Sequence, residues 1–330
     1  MEYRKLGRTG LKVSELCLGT MTFRWTSTEE QSWQVLDRAW EAGINFIDTA
    51  DIYSSWVEGN PGGVAETIIG QWLKTKPRDQ IVIATKVRGR MWDGPNGEGL
   101  SRQHIMLAVE GSLRRLGVEA IDLYQVHWPD DDTPLEETLR ALDDLVAAGK
   151  VRYIGASNFP AWLLTKSLWI SDRRGYARFE SIQPHYNLLN RAEVEPELAA
   201  LCVDQGLGLI PYSPLAGGFL TGKYTRDGIP AGSRGEANER IKSYMTESNF
   251  ALIDGLREMG QAHGKTVLQM ALGWLLTLPI VTAPIIGANT VEQLEESLGA
   301  AGLRLTEEEM ARLDALTGGN RKWFKPRAAG

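Results

Sequence analysis

Short apolar runs alternate with segments of helical periodicity along nearly the whole chain, and this alternation limits the folds that it can adopt. Eight runs are typical of buried strands, at 16–18, 46–48, 81–86, 121–127, 151–157, 181–184, 207–212 and 283–286. Parallel strands need long crossovers, which intervening helices supply. Eight such units are the number that closes a (β/α)8 barrel, so the pattern predicts a TIM barrel.

Two of the intervening segments carry clear helix signals. Trp33, Leu36 and Trp40 share one face of a helix over 28–43, which begins with a Thr28/Gln31 capping box. The segment 134–149 has an apolar stripe, a proline at its start and a glycine at its end. Both patterns favour amphipathic helices packed against a sheet.

The main alternative to the barrel is an open, doubly wound sheet. Such sheets bind dinucleotides through a G-x-G-x-x-G turn, and the chain lacks one, since Pro211 stands where the third glycine after Gly206 and Gly208 would be. Before the first barrel strand, residues 3–6 and 11–13 flank a Gly-Arg-Thr-Gly turn, which predicts a hairpin plugging the amino-terminal end. Long loops are expected at 87–100 and 224–245.

Composition and charge limit the binding partners and the cellular compartment that we expect for the chain. The 330 residues carry a net charge of −6, which argues against a nucleic-acid-binding face. Two cysteines cannot build a disulfide framework, and the first residues lack the apolar core of a signal peptide, so we expect a cytoplasmic protein.

Prolines and a threonine interrupt the uncharged stretch 271–288, which argues against a membrane span. We expect one domain over 1–330, with a polar tail at 318–330.

Four chemically active residues lie at or just after the ends of predicted strands. Asp48 ends the second strand, Tyr53 follows five residues later, Lys86 ends the third and His127 ends the fourth. Because the carboxyl ends of barrel strands converge on one rim, we expect these four side chains to meet there. A lysine ammonium beside a tyrosine favours the phenolate and is expected to lower the tyrosine pKa. The group therefore predicts a proton-donating catalytic site.

The remaining question is what would generate the oxyanion that receives this proton. The other histidines, His104, His185 and His263, are scattered without metal-ligand spacing and are interpreted as packing or solvent-exposed residues. No G-x-S-x-G nucleophile motif occurs either. We therefore expect no metal, and a hydride donor such as a nicotinamide as the missing component.

Several segments, taken together and in order, resemble the aldo-keto reductase superfamily. They are LGRTGLKVSELCLGT, GINFIDTADIY, IATK, DLYQVHWPD, IGASNF, IQPHYNLLNR, PYSPLAGGFLTGKY and PIIGANTVEQLEES. The branch resembled most includes bacterial general reductases and potassium-channel β subunits. The resemblance implies a TIM barrel that binds NAD(P)H without a Rossmann motif and reduces a small carbonyl substrate.

The resemblance also implies roles for individual residues. Tyr53 would donate the proton, Lys86 and Asp48 would adjust the pKa of Tyr53, and His127 would orient the substrate. The residues expected to hold the nicotinamide, the pyrophosphate and the adenosine side are Ser157, Asn158, Gln183, Tyr212, Ser213, Leu215, Gly217, Gly287, Asn289, Gln293 and Glu296. Lys223 and Arg234 are the candidates for a 2′-phosphate, so we expect NADPH rather than NADH, although Ala288-Asn289 stands where family members often have a basic residue.

The substrate pocket, the alternative functions and the partners stay open. Four tryptophans fall on predicted rim loops and are candidates for the substrate pocket: Trp25, Trp56, Trp92 and Trp128. The alternative function is a nucleotide-sensing regulatory subunit that binds NADP(H) with vestigial turnover. A metal-dependent hydrolase on the same fold fits the scattered histidines poorly. Sequence reasoning predicts neither an oligomeric partner nor the substrate.

Overall fold

The computed structural model of the protein describes residues 1–236, 238–319 and 321. Of the predicted tail 318–330, residues 320 and 322–330 therefore lie outside the described part. Within the described residues, eight parallel strands form one sheet in the order β10-β3-β4-β5-β6-β7-β8-β9. These strands are β3 Cys17–Gly19, β4 Phe46–Asp48, β5 Val82–Val87, β6 Ile121–Val126, β7 Val151–Ser157, β8 Phe179–Gln183, β9 Gly208–Leu209 and β10 Ile285–Gly287.

Backbone hydrogen bonds join the first and last members of this order. The Leu209 N–H donates to the Ile280 carbonyl, the Thr282 N–H donates to the Leu209 carbonyl, and the Ile285 N–H donates to the Pro211 carbonyl. The segment around β9 is thereby tied to the segment leading into β10. The sheet curls back on itself, and the predicted (β/α)8 barrel is confirmed.

A hairpin closes the amino-terminal end of the barrel, as predicted. It pairs β1 Tyr3–Lys5 with β2 Lys12–Ser14 in antiparallel register. Leu6 and Val13 of this hairpin are fully buried and pack with inward-facing strand residues such as Phe46 and Leu123. At Gly7 a Cβ would lie 2.5 Å from the Glu180 carbonyl oxygen, so a side chain there would push the hairpin off the barrel.

The helices pack outside the sheet and form the second layer with it. They are α1 Glu29–Glu41, α2 Val64–Leu73, α3 Arg102–Leu116, α4 Leu135–Ala147, α5 Ala161–Arg174, α6 Leu198–Gln205, α7 Glu239–Ser243, α8 Glu247–His263, α9 Val267–Thr277, α10 Val291–Leu298 and α11 Glu307–Thr317. The Thr28/Gln31 capping box of α1 is present. No helix among the described residues is long and apolar enough to cross a membrane.

Five predicted strands differ from the structure by one or two residues at an end, and two predicted segments differ more. The seventh strand was expected at 207–212 but is regular only over Gly208–Leu209, because beyond it the chain pairs through isolated bridges. The long loop expected at 224–245 contains a short 3-10 helix, Arg234–Glu236, followed by α7. Asn238 caps α7 by accepting hydrogen bonds from Arg240 and Ile241, so its side chain starts a helix that hydrophobic periodicity does not reveal.

Candidate active site

The strand register brings the candidate catalytic residues to one level at the carboxyl rim. Asp48 on β4 pairs with Ala84 on β5, and Lys86, two residues further, pairs with Gln125 on β6. Because side chains alternate across a strand, Lys86 points into the barrel with Ala84, whereas Thr85 points outward and donates to Glu66 of α2. The alternation of side chains along β5 therefore determines that Lys86, and not Thr85, points into the site.

The centre of this rim is a fully buried ammonium with three acceptors. The Lys86 Nζ lies 2.5 Å from Asp48 Oδ1, 2.8 Å from the Tyr53 hydroxyl oxygen and 2.9 Å from the Thr49 carbonyl oxygen. Lys86 is 0% exposed and Asp48 is 2% exposed. A buried charge this well paired is costly to desolvate and is held by specific geometry, which is typical of a functional site.

Burial and charge act on the pKa of Tyr53 in opposite directions. Burial raises the pKa of Tyr53 above its ordinary value, whereas the Lys86 ammonium lowers it and Asp48 raises it. The expectation that Lys86 sets a lowered pKa is therefore wrong as a net effect, because desolvation of the phenolate outweighs the attraction of the ammonium. The hydroxyl keeps its proton at neutral pH. For Lys86, burial lowers the pKa, but Asp48 and Tyr53 outweigh it and raise the pKa above its ordinary value.

His127 stands beside Tyr53 just beyond the end of β6. The two ring centroids are 6.0 Å apart with an interplanar angle of 74°. Burial, together with the positive charges of Lys86 and Arg88, lowers the pKa of His127 to about 3. The imidazole is therefore neutral across the physiological range and can donate one N–H to a substrate oxygen.

Gln125 is a residue of this site that sequence reasoning missed. Its Nε2 donates to Asp48 Oδ2 over 3.0 Å, and Gln183 Nε2 donates to the same oxygen over 2.8 Å. Asp48 is thus held by two amides on one oxygen and by Lys86 on the other. The signal was present in the sequence, because Gln125 lies two residues before His127 on a buried strand and must share its face.

A second group of predicted residues lies at the ends of the next three strands. Asn158 adopts a left-handed conformation, with a φ of 60°. Its Nδ2 donates to the Ser157 hydroxyl and to the His127 carbonyl, and its Oδ1 accepts a 2.9 Å hydrogen bond from the Tyr212 hydroxyl. The Ser157 hydroxyl in turn donates to the Gln183 carbonyl. The structure therefore joins Ser157, Asn158, Gln183 and Tyr212 in one network next to His127.

The predicted pyrophosphate loop follows Tyr212 directly. Ser213 and Ala216 have positive φ angles of 50°, and Leu215 leads into a 3-10 helix, Ala216–Thr221, interrupted at Gly217. Lys223 is exposed at the end of this helix, with its Nζ 5.3 Å from the centre of the Tyr224 ring. The side chain of Arg234, the other predicted phosphate contact, lies outside the described residues.

The predicted adenosine-side residues form a separate cluster at the end of β10 and the start of α10. The Asn289 N–H donates to Gln293 Oε1, and Asn289 Oδ1 accepts from the Thr26 hydroxyl. Glu296 is exposed on α10, and Gly287 has open space where a Cβ would lie. The backbone hydrogen bond from the Ile285 N–H to the Pro211 carbonyl connects the strand that precedes this cluster to the segment that carries Tyr212.

Three of the four predicted pocket tryptophans lie around the catalytic group. The Trp56 ring centre is 6.4 Å from that of Tyr53, Trp25 packs edge-on against Trp56, and Trp128 stacks beside His127. The fourth, Trp92, packs against His104 at 4.7 Å. Within the described residues, no group of three or more His, Cys, Asp or Glu side chains could hold a metal ion.

Comparison with known proteins agrees with this geometry. The chain matches the aldo/keto reductase family over residues 15–317. It is 37% identical to the versiconal hemiacetal acetate reductase of Aspergillus parasiticus, with 95% of this chain and 96% of the relative covered. It is also 37% identical to the L-glyceraldehyde 3-phosphate reductase of Escherichia coli (95% and 92% covered) and 35% identical to a probable voltage-gated potassium channel subunit beta of rice, Oryza sativa (96% of each). The chain therefore belongs to the aldo/keto reductase family and is an NAD(P)H-dependent oxidoreductase.

Proposed function

We propose that the protein reduces aldehydes or ketones to alcohols with NADPH, and that Tyr53 supplies the proton. The observation that carries this proposal is the buried Asp48–Lys86–Tyr53 chain beside a neutral His127. Two of the relatives above are named as reductases, one of versiconal hemiacetal acetate and one of L-glyceraldehyde 3-phosphate, which supports the same reaction class.

The hydrogen bonds of Lys86 determine where the Tyr53 proton can go. The three N–H groups of the ammonium are taken by Asp48, the Thr49 carbonyl and the Tyr53 oxygen. Tyr53 is thus the acceptor in its bond with Lys86, and no other partner of its hydroxyl is found in the described part of the chain. Its own proton is not used in that bond, so we propose that it is donated to a substrate oxygen.

The same arrangement stabilises the tyrosine after the proton has left. The phenolate formed on Tyr53 would lie against the Lys86 ammonium, which Asp48 and Thr49 keep in place. Because the site is buried, this charge pair interacts more strongly than it would in water. General-acid assistance of this kind is worth roughly 10²–10⁴-fold in rate.

The residues around Tyr212 fit a nicotinamide. The Gln183 Nε2 is engaged by Asp48 and Gln125, which leaves its Oε1 without a hydrogen-bond partner among the described residues and open to an amide N–H. The Tyr212 ring offers a flat face for stacking. When bound, the reduced nicotinamide supplies the hydride for the carbonyl carbon. We propose that Ser157, Asn158 and Gln183 hold its carboxamide, that Ser213, Leu215 and Gly217 line the pyrophosphate, and that the adenosine lies near Gly287, Asn289, Gln293 and Glu296.

The preference for NADPH depends on cations near the loop after β9, where we propose that Lys223 and Arg234 bind the 2′-phosphate. We expect Lys223→Met to raise the KM for NADPH about 5- to 10-fold and to leave that for NADH nearly unchanged, because an exposed charge–phosphate contact is lost. Steady-state kinetics with both cofactors measure this ratio. Lys166→Met, on the exposed face of α5, is the matched control. An unchanged NADPH/NADH ratio would remove Lys223 from the cofactor site.

The pH dependence follows from the neutral state of both proton-bearing groups. His127 has a pKa of about 3 and the pKa of Tyr53 lies above its ordinary value. We therefore expect kcat/KM for reduction to show no inflection from either group between about pH 5 and 8. A step near pH 6.5 that disappears in His127→Gln would contradict the neutral, hydrogen-bond-donating role.

The second candidate function is nucleotide sensing with vestigial turnover, and the channel-subunit relative is the observation that favours it. It predicts tight NADP(H) binding with very slow oxidation of NADPH by every aldehyde tested. Steady-state turnover with a panel of aldehydes separates the two functions. Rates typical of enzymes, on the order of 1 s⁻¹ or more, would support the reductase.

A further inference from the structure

His185 lies directly behind the aromatic residue that we assign to the nicotinamide. It is 4% exposed, and its ring stacks on Tyr212 with centroids 5.2 Å apart and an interplanar angle of 12°. The backbone supports the contact, because His185 and Tyr212 form a parallel bridge. One face of the Tyr212 ring is therefore covered by the imidazole, which leaves the other face for a planar ligand.

The surroundings of His185 consist of hydrogen-bond donors. Arg240 donates from its guanidinium to Nδ1 over 2.9 Å, and the Asn187 Nδ2 lies 3.3 Å from Nε2. The orientation of Asn187 is set by its Oδ1, which accepts from the Leu189 and Asn190 N–H groups. The Asn190 side-chain amide is also within hydrogen-bond distance of both ring nitrogens. An imidazolium would direct two N–H groups at donors, whereas the neutral ring keeps Nδ1 as an acceptor for Arg240 and carries a single N–H, on Nε2. The geometry therefore favours the neutral ring.

Burial and the neighbouring positive charge also favour the neutral form of His185. Burial, and then the Arg240 guanidinium, lowers the pKa of His185 to about 4. The charged or titratable groups that act on the neighbouring Tyr212 are Glu193, Arg240 and Tyr53. The Arg240 guanidinium therefore lowers the pKa of both His185 and Tyr212. It is placed beside His185 by α7, a helix within the long segment that follows β9.

We infer that His185 and Arg240 are positioning residues for the cofactor: the neutral imidazole backs the Tyr212 ring, and Arg240 ties the segment carrying α7 to that stack. The inference rests on the proposed function, since it assigns the face of Tyr212 that points away from His185 to the nicotinamide. The imidazole fixes the tilt of the Tyr212 ring from behind. The hydrogen bond from the Tyr212 hydroxyl to Asn158 Oδ1 holds the hydroxyl end of the Tyr212 ring in place.

The first test measures the state of His185 without any cofactor. The chain has four histidines, so their NMR resonances can be assigned with single His→Gln variants. We expect His185 to titrate near pH 4 and to shift upward by about one unit in Arg240→Met. Lys242→Met, on the same helix, should leave the titration unchanged. Titration of His185 near its ordinary pH of about 6.5, or no shift in Arg240→Met, would overturn the pairing.

The second test measures cofactor affinity by fluorescence titration with NADPH. His185→Ala should raise the Kd about 5-fold, because the ring that backs Tyr212 is lost, and His185→Phe, which keeps a stacked ring, should restore it to within about twofold. Binding of NADPH with the same Kd in the native protein and His185→Ala would overturn this inference alone. Failure of the native protein to bind NADPH would instead overturn the proposed function.

Discussion

Replacing Tyr53 with phenylalanine is expected to lower kcat for aldehyde reduction by about 10²–10⁴-fold, the range of general-acid assistance. The phenylalanine keeps the ring that packs with Trp56 and His127 but lacks the hydroxyl proton that we assign to the substrate oxygen. Because cofactor residues are untouched, the Kd for NADPH should stay within about twofold. Steady-state rates and NADPH fluorescence measure the two quantities separately.

The chain offers a matched control for this substitution. Tyr3 lies on the β1–β2 hairpin, at the opposite end of the barrel, and its hydroxyl donates to the carbonyl of Gly43, which follows α1. Tyr3→Phe removes one hydroxyl in the same chemical way and should leave kcat unchanged. If Tyr53→Phe retained native rates on a reactive aldehyde, Tyr53 would not be the acid.

Replacing Lys86 with methionine is expected to damage both turnover and stability. The substitution removes a fully buried cation and leaves Asp48, which is 2% exposed, with only its two amide donors. Breaking a buried ion pair from one side typically costs about 3–5 kcal/mol, and we expect the lower end here because the amides remain. Urea unfolding measures the loss, and kcat should fall at least 10²-fold because no cation remains to stabilise the phenolate.

A double-mutant cycle separates the ion pair from simple loss of packing. Asp48→Asn/Lys86→Met removes both charges, so it should be less destabilised than the sum of the single variants by about 2 kcal/mol. Additive effects would show that the two side chains stabilise the fold independently. The exposed Lys166→Met variant should change the free energy of unfolding by less than about 0.5 kcal/mol.

Local patterns predicted most of the scaffold, because they depend on residues close together in the chain. The strands Phe46–Asp48 and Val151–Ser157 begin and end where their apolar runs do. The capping box of α1 follows from Thr28 and Gln31 alone. The convergence of Asp48, Lys86 and His127 also follows from sequence, because parallel strands of a barrel share one carboxyl rim.

The features that sequence reasoning missed depend on contacts between distant residues. Gln125 reaches Asp48 across 77 positions, through a register that hydrophobic runs do not specify. The contact between His185 and Arg240 spans 55 positions and requires α7, whose start depends on a single asparagine cap. The net pKa of Tyr53 depends on how deeply the ring is buried, and residue types alone do not give that depth.

A crystal structure with NADP⁺ and an unreactive carbonyl ligand bound would show whether Tyr53 is the proton donor. We expect the ligand oxygen to lie within about 3.2 Å of both the Tyr53 hydroxyl and a His127 ring nitrogen. We also expect the nicotinamide to stack on the face of Tyr212 that points away from His185. A ligand oxygen bound away from Tyr53, with the hydroxyl turned to another partner, would contradict the assignment of the proton donor.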